Sequence, residues 1–322
     1  MQLQTQVQLQ DGGPKIHYGS SLFVLGSCFS EYIGQKLDYF QFRLSQNPFG
    51  ILFHPFGLES FINRVVAQKF FTKKDIFQHN GLWHSFEAHS KMSHQNADVV
   101  LERLNIAIKS SLDFIKESSH VFITLGTAFI YKHIESDAYV ANCHKVPQKN
   151  FKKELISATR VQESFEAITK MLQRINPDIH LVFTVSPVRH QKEGLVGNNR
   201  SKAHLISAIH NLREHKIDCV SYFPSYEILL DELRDYRFFQ SDMLHPSPTA
   251  VTYIWEKFIE SWMNTDTEEV MEKVNKLQRN LKHKAFSPDS EAHQQFLQKV
   301  DKQKKDLKLR FPHFQFPCNQ TT

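Results

Sequence analysis

Cysteine and glycine are scarce in this chain, which has four Cys and 11 Gly in 322 residues. The cysteines, Cys28, Cys143, Cys219 and Cys318, lie far apart. So few in so large a chain do not build a disulfide scaffold. Long apolar runs are missing too. None approaches the roughly 18 residues that a membrane helix needs, so no membrane partner is expected. The opening residues Met1-Gln2-Leu3-Gln4-Thr5-Gln6 are polar and carry neither the basic nor the apolar part of a secretory signal, which predicts a cytoplasmic protein. No strong excess of one charge is present. The net charge is +5 with the 18 His counted as neutral. The basic run Lys302-Gln303-Lys304-Lys305-Asp306-Leu307-Lys308 reads as the wet face of a helix, so no nucleic-acid partner is expected.

What the chain does have is aromatic bulk. It holds 27 Phe, and its hydrophobic fraction is 41%, enough for a substantial core in one large α/β domain with an appendage, or in two small domains. Apolar runs at 22–25, 120–125 and 181–185 read as buried parallel strands, with shorter ones at 43–45 and 218–221. Between them lie helical spacings: Phe29, Ile33 and Leu37; Leu58, Phe61, Ile62 and Val65; Val100, Leu104 and Ile108; Val161, Phe165, Ile168 and Leu172. A Gly-containing loop after 190 is expected to lead into a helix with Leu205, Ala208, Ile209 and Leu212. Residues 130–140 look like a hairpin excursion. Repeated strand–helix units predict a parallel sheet of about five strands with helices on both faces.

Two segments carry chemistry. In the first, Gly26-Ser27-Cys28 follows the apolar run 22–25 and opens a helix. Gly26 can adopt the backbone angles of a tight turn. A thiol or hydroxyl at that turn sits on a helix N-terminus, whose free N–H groups and dipole favour negative charge. Such a field lowers a cysteine pKa and holds an oxyanion. In the second, Asp242 and His245 stand three residues apart, so the carboxylate can reach an imidazole nitrogen and leave the other free as a base. Pro246 and Pro248 stiffen this loop, and Thr249 is the expected N-cap of the next helix. Together the segments supply a nucleophile, a base and an orienting carboxylate. In an open parallel sheet, ligands bind outside the carboxyl ends of the strands. The Gly26, Asn47–Gly50, Gly126 and Ser186 segments each follow a strand, so all are expected at that edge.

Gly26-Ser27-Cys28-Phe29-Ser30 resembles the signature of the GSCFA-domain family, a branch of the SGNH (GDSL-like) hydrolase superfamily. The segments Leu125-Gly126-Thr127-Ala128, Ala141-Asn142-Cys143-His144-Lys145-Val146-Pro147, Ser186-Pro187-Val188-Arg189-His190 and Asp242-Met243-Leu244-His245-Pro246 are similar to that family as well. The resemblance covers roughly residues 15–265. It implies a flavodoxin-like three-layer α/β/α sandwich and an esterase or acyl-transfer site, with no cofactor. SGNH enzymes carry Gly-Asp-Ser, with the nucleophile third. Alignment without a gap makes Cys28 the nucleophile, and sliding by one residue makes it Ser27; Cys28 is preferred, with Asp242 and His245 serving it. Gly50 resembles the glycine whose N–H completes the oxyanion hole beside that of Cys28. The usual oxyanion asparagine is replaced by Ala128, leaving Thr127 or Asn142 as substitutes near Gly126. Arg189 suits an anionic substrate group, and His144 and His190 are candidates for the cleft because they lie in family-like segments.

Cys28, Cys143, His144, His190 and His245 are all zinc-ligand types, but no Cys-x-x-Cys or His-x-x-x-His pair occurs, and no metal is expected. Beyond an SGNH-like domain of residues 1–264, a polar hinge at 263–267 introduces a charged helical extension, 265–322. Its helices carry Val270, Val274, Leu277 and Leu281, then Phe296, Val300 and Leu307, with a break and cap at 286–290. Such a hairpin packs on its own chain or serves a homodimer, and the first is expected. Two functions follow from different classes. One is a hydrolase or acyltransferase acting on a small-molecule or glycan ester; the other is a non-catalytic SGNH-like binding or scaffold protein, which the missing asparagine suggests.

Overall fold

The computed structural model describes residues 5–9, 13–214, 218–283 and 290–316. Among these residues the chain begins β1 (Ser21–Gly26), α1 (Cys28–Tyr39), β2 (Arg43–Gln46), α2 (Pro55–Val66), β3 (Phe77–His79) and β4 (Leu82–His84). It continues α3 (Ala97–Glu117), β5 (His120–Leu125), β6 (Phe129–His133), β7 (Ala138–Val140), β8 (Phe151–Leu155), α4 (Ala158–Ile175) and β9 (His180–Val185). It ends α5 (Gly194–Glu214), β10 (Val220–Phe223), the one-turn α6 (Ser225–Glu227), α7 (Pro248–Trp262), α8 (Thr265–Leu281) and α9 (Glu291–Arg310).

Five strands form the central sheet in the order β10-β9-β5-β1-β2, and every pairing in it is parallel. Strand side chains alternate between the two faces, and here both faces are apolar. Phe23, Leu25, Val121, Ile123, Leu125, Leu181, Phe183 and Val185 enter one core with α2, α3, α4 and α5. Leu22, Val24, Phe122 and Val182 enter the other with α1, α7 and α8. The result is the expected three-layer α/β/α arrangement. In the sheet, β1 is flanked by β2 on one side and β5 on the other. Chain connections leave β1 toward opposite sides, which opens a crevice at the carboxyl ends of β1 and β5. The turns after Gly26, Leu125 and Val185 all lie at that edge.

Smaller pieces flank the sandwich. The expected hairpin at 130–140 is the β6–β7 pair, and β8 joins it into an antiparallel three-stranded sheet. The β3–β4 hairpin was not anticipated, although its Asn80-Gly81 turn, with φ of 48° and 78°, is a two-residue turn signal readable in the sequence.

Three expectations are corrected. The N-cap of α7 is Ser247, whose hydroxyl accepts from Ala250 N–H at 3.3 Å; Thr249 lies inside the helix. No hinge occupies 263–267: Met263 is buried and bridges to Ile16, and Asn264 caps α8 directly. The glycine-containing stretch taken for a loop is helical from Gly194 onward. The C-terminal helices pack on their own chain, with Val270, Val274, Leu277, Val300 and Leu307 in the α1-side core and Asn275 accepting from Tyr39 Oη at 2.8 Å. Ser290 caps α9; the expected break at 286–289 lies outside the described residues. Among the described residues no helix is long and apolar enough to cross a membrane.

Histidine burial sets the acid response. His54, His120 and His144 are 3%, 1% and 5% exposed, and burial, the leading cause for each, lowers their pKa from 6.5 to about 4. They stay neutral in the folded protein, whereas the unfolded chain binds protons below pH 6.5. Stability therefore falls as pH drops from that value toward 4, by about 1.4 kcal/mol per pH unit for each such histidine. Chemical denaturation at pH 7.5, 6 and 5 is expected to show this decline before carboxylates protonate; equal stability at all three values would contradict it.

Candidate active site

The turn after β1 is held by backbone geometry that only glycine permits. Gly26 has φ of +130°, and a Cβ there would run into the Thr124 carbonyl of β5. Gly26 N–H donates to Asn47 Oδ1 at 2.9 Å and Ser27 N–H to Thr124 O at 2.9 Å. Asn47 Nδ2 donates to Ser30 Oγ, which donates to the Ser27 carbonyl at 2.7 Å. The turn is thereby tied to β2, β5 and the first turn of α1.

Cys28 is the first residue of α1 and is half-buried, whereas Ser27 is 3% exposed and its Oγ has no hydrogen-bond partner among the described residues. The helix N-terminus does not leave the thiol with a low pKa, as had been expected. Burial pushes the Cys28 thiol up, with the Glu31 carboxylate adding to the rise; Lys202 and the N–H groups of Phe29 and Cys28 act against it.

Asp242 and His245 meet as their spacing implied. Asp242 Oδ2 lies 2.6 Å from His245 Nδ1, and Oδ1 accepts from the N–H groups of Leu244 at 2.9 Å and His245 at 3.0 Å. These bonds, the backbone ones first, hold the carboxyl down at about 2. Met243, with φ of 58°, makes the tight turn between them. Gln240 fastens the loop: its N–H donates to His245 O at 2.8 Å, and Nε2 donates to Pro246 O and, at 3.3 Å, to Tyr32 Oη. Tyr32 lies one helical turn beyond Cys28, so the loop is anchored on the helix that carries Cys28. No hydrogen bond joins Cys28 Sγ to His245 in this structure, contrary to the expected contact.

Several other candidates have structural tasks. Gly50 N–H donates to Asn47 O at 2.7 Å, so it closes a turn and is not free to serve as an oxyanion donor. Gly126 N–H donates to Phe53 O at 2.7 Å. Thr127 Oγ1 is engaged with Ser201 Oγ and with Phe129 N–H, and Asn142 Oδ1 accepts from His144 N–H. His144 is pinned by Ser85 O and Ser90 Oγ, with its ring centroid 4.5 Å from that of His84. In contrast, the N–H groups of Cys28 and Phe29 have no backbone acceptor among the described residues and lie beside Cys28 Sγ, where a helix N-terminus favours negative charge.

The segment after β9 does reach the site. Arg189 N–H donates to Leu244 O at 3.2 Å beside His245. Its guanidinium lies 4.3 Å from the Phe239 ring centroid and 5.5 Å from that of Tyr236, and no carboxylate pairs with it among the described residues. These three residues, with Leu195 and Tyr226, line a cleft of about 410 Å³. His190 packs near Phe53 and is held neutral, its pKa lowered to about 3 by burial first and then by Lys202, His245, Lys153 and Lys192.

Lys202 is the site residue that sequence reasoning missed. It is 1% exposed, and Nζ donates to Gly126 O and Ser186 O, both at 2.6 Å. It shares the buried face of α5 with Asn198, which accepts from His190 N–H, and Ser201, which accepts from Ala128 N–H. The signal lay in the apolar stripe Lys202, Leu205, Ile209 and Leu212, hidden by reading the helix start as loop. Among the described residues no group of three His, Cys, Asp or Glu is arranged to hold a metal ion.

Comparison with known families gives two matches: the GSCFA family over residues 21–258, and the GSCFA domain protein, C-terminal domain, over residues 274–317. No curated protein matches the chain. The first match spans the whole crevice from β1 to α7.

The Asp242 contact fixes the His245 tautomer. Ring ¹⁵N NMR is expected to find the proton of neutral His245 on Nδ1, and a mixture of tautomers in Asp242→Asn. The same tautomer ratio in both proteins would contradict the assigned contact.

Proposed function

The chain belongs to the GSCFA family, and on that premise we propose that it is an SGNH-like hydrolase or acyltransferase acting on an ester, with glycan esters as the first substrate class to test. The observation that supports this reading is the Asp242–His245 pair. Its Nδ1 is bound at 2.6 Å and its Nε2 has no hydrogen-bond partner among the described residues, in a loop anchored one helical turn from Cys28.

In the proposed reaction Cys28 Sγ attacks the acyl carbonyl carbon, and the thiol proton passes to His245. Nucleophile and base that stand apart in a free enzyme draw together around substrate. The carbonyl oxygen, now an oxyanion, accepts from the N–H groups of Cys28 and Phe29. Collapse expels the alcohol, which takes the proton from His245 and leaves a thioester on Cys28. Water or an acceptor hydroxyl then attacks that thioester, giving its proton to His245, and the restored thiol closes the cycle. Arg189 with its aromatic neighbours offers a wall against which a sugar ring or an anionic acyl group can lie.

Specific observations also favour the second reading, a non-catalytic binding protein: Gly50 and Gly126 have their N–H groups engaged, and Ala128 supplies no side-chain donor. A panel of short-chain p-nitrophenyl and acetyl-sugar esters separates the two. On the enzymatic reading, Cys28→Ala and His245→Ala each lower kcat/KM by roughly 10²-fold or more, while Ser27→Ala keeps most activity. Loss in Ser27→Ala with activity retained in Cys28→Ala would make this a serine enzyme. No turnover by the folded wild type, with no covalent labelling of either residue, would leave the binding reading.

A further inference from the structure

Lys202 has no task in the chemistry just described, yet its placement is costly. Burying an ammonium without a counter-ion is unfavourable, and an unbranched apolar side chain would fill much the same space. The side chain is 1% exposed and no carboxylate pairs with it among the described residues. Its two carbonyl partners come from the turns after β5 and β9, the strand ends beside the nucleophile turn. Two acceptors match the two N–H bonds of a neutral amine, while an ammonium has a third to direct elsewhere. Both forms keep the two carbonyl bonds, and burial disfavours the charged one.

We propose that Lys202 is a positioning residue whose charge sets the thiolate fraction of Cys28, supporting the nucleophile while protonated and withdrawing that support when neutral. The inference rests on Cys28 being the nucleophile, but not on turnover of any substrate.

Several charged groups surround this pair. Lys202 binds Gly126 O, two residues beyond Thr124, whose carbonyl accepts from Ser27 N–H, so the lysine lies beside the turn that carries Cys28. Lys202 and Glu31 are the charged groups acting on that thiol, and Glu31 is paired with Lys91 at 2.6 Å. Lys202 faces Cys28, and the Tyr226 ring centroid lies 5.8 Å from Nζ. His190 faces Lys202, His245, Lys153 and Lys192, and at about 3 it stays neutral at neutral pH. Asp242, at about 2, stays ionised. Burial brings Lys202 down to about 7, with Cys28 opposing the shift. Below that value the ammonium favours the thiolate; above it the support fades.

The test is the pH dependence of Cys28 alkylation by iodoacetamide, read by peptide mass spectrometry so that Cys143 and Cys219 are scored separately. Wild type is compared with Lys202→Met and Lys202→Arg. Wild type should react several-fold faster than Lys202→Met at pH 6 and at a similar rate at pH 9. Lys202→Arg should keep the advantage across the range. A purely structural lysine gives a wild-type to Lys202→Met ratio that does not change with pH, and that result overturns the proposal. If the variants do not fold, the wild type alone decides. Its log rate should rise with a slope below one around the Lys202 midpoint, and the shallow segment should persist in His245→Gln; a single limb of unit slope would overturn the proposal. Alkylation needs no substrate, so failure of the ester assay leaves this test intact.

Discussion

Satisfying backbone groups at the carboxyl edge of a doubly covered parallel sheet is the constraint on which the rest of this structure depends. Both faces of the sheet are closed by helices, so a polar group left bare there costs roughly 1–3 kcal/mol. The chain answers with side chains from elsewhere. Asn47 caps Gly26, Ser201 caps Ala128, Asn198 caps His190, and Lys202 joins Gly126 O to Ser186 O. These bonds draw the ends of β1, β5 and β9 around one crevice. The same bonds place polar and titratable groups where a ligand would enter.

The division between α1 and the 240–246 loop follows from this. Helix α1 leaves the sheet through Gly26, and bonds to Asn47 and Thr124 tie that turn to β2 and β5, so Cys28 is held by the central sheet. The Asp242–His245 pair sits on a loop whose order comes from its own hydrogen bonds and from Gln240. With Cys28 on the sheet and His245 on a loop, binding can close the distance that the proposed reaction needs. Their separation here, with no hydrogen bond between them, is consistent with the proposed chemistry taking place after such closure.

Legibility in the sequence tracked how local each interaction is. Strands β1, β5 and β9 were readable because both faces are buried, leaving unbroken apolar runs. Asp242 and His245 were readable because three residues separate them and one turn joins them. Gly50 misled because a turn glycine and an oxyanion glycine look alike until the partner of its N–H is known; Asn47 O is that partner. Thr127 and His144 misled in the same way, since Ser201 and Ser85 are distant in sequence. Lys202 was hidden because glycines at 194 and 197 suggested loop, whereas α5 runs through both. The lowered thiol pKa expected at the helix N-terminus also failed, because burial of Cys28 outweighs the favourable N–H groups.

The central claim is that Cys28 takes up an acyl group. Incubation of the protein with an activated acetyl ester, rapid acid quench and peptide mapping by mass spectrometry tests it most directly. The account predicts a single acetyl group on the Cys28 peptide, released by hydroxylamine as a thioester would be. An acetyl group on Ser27, or none on this peptide in the folded protein, would contradict it.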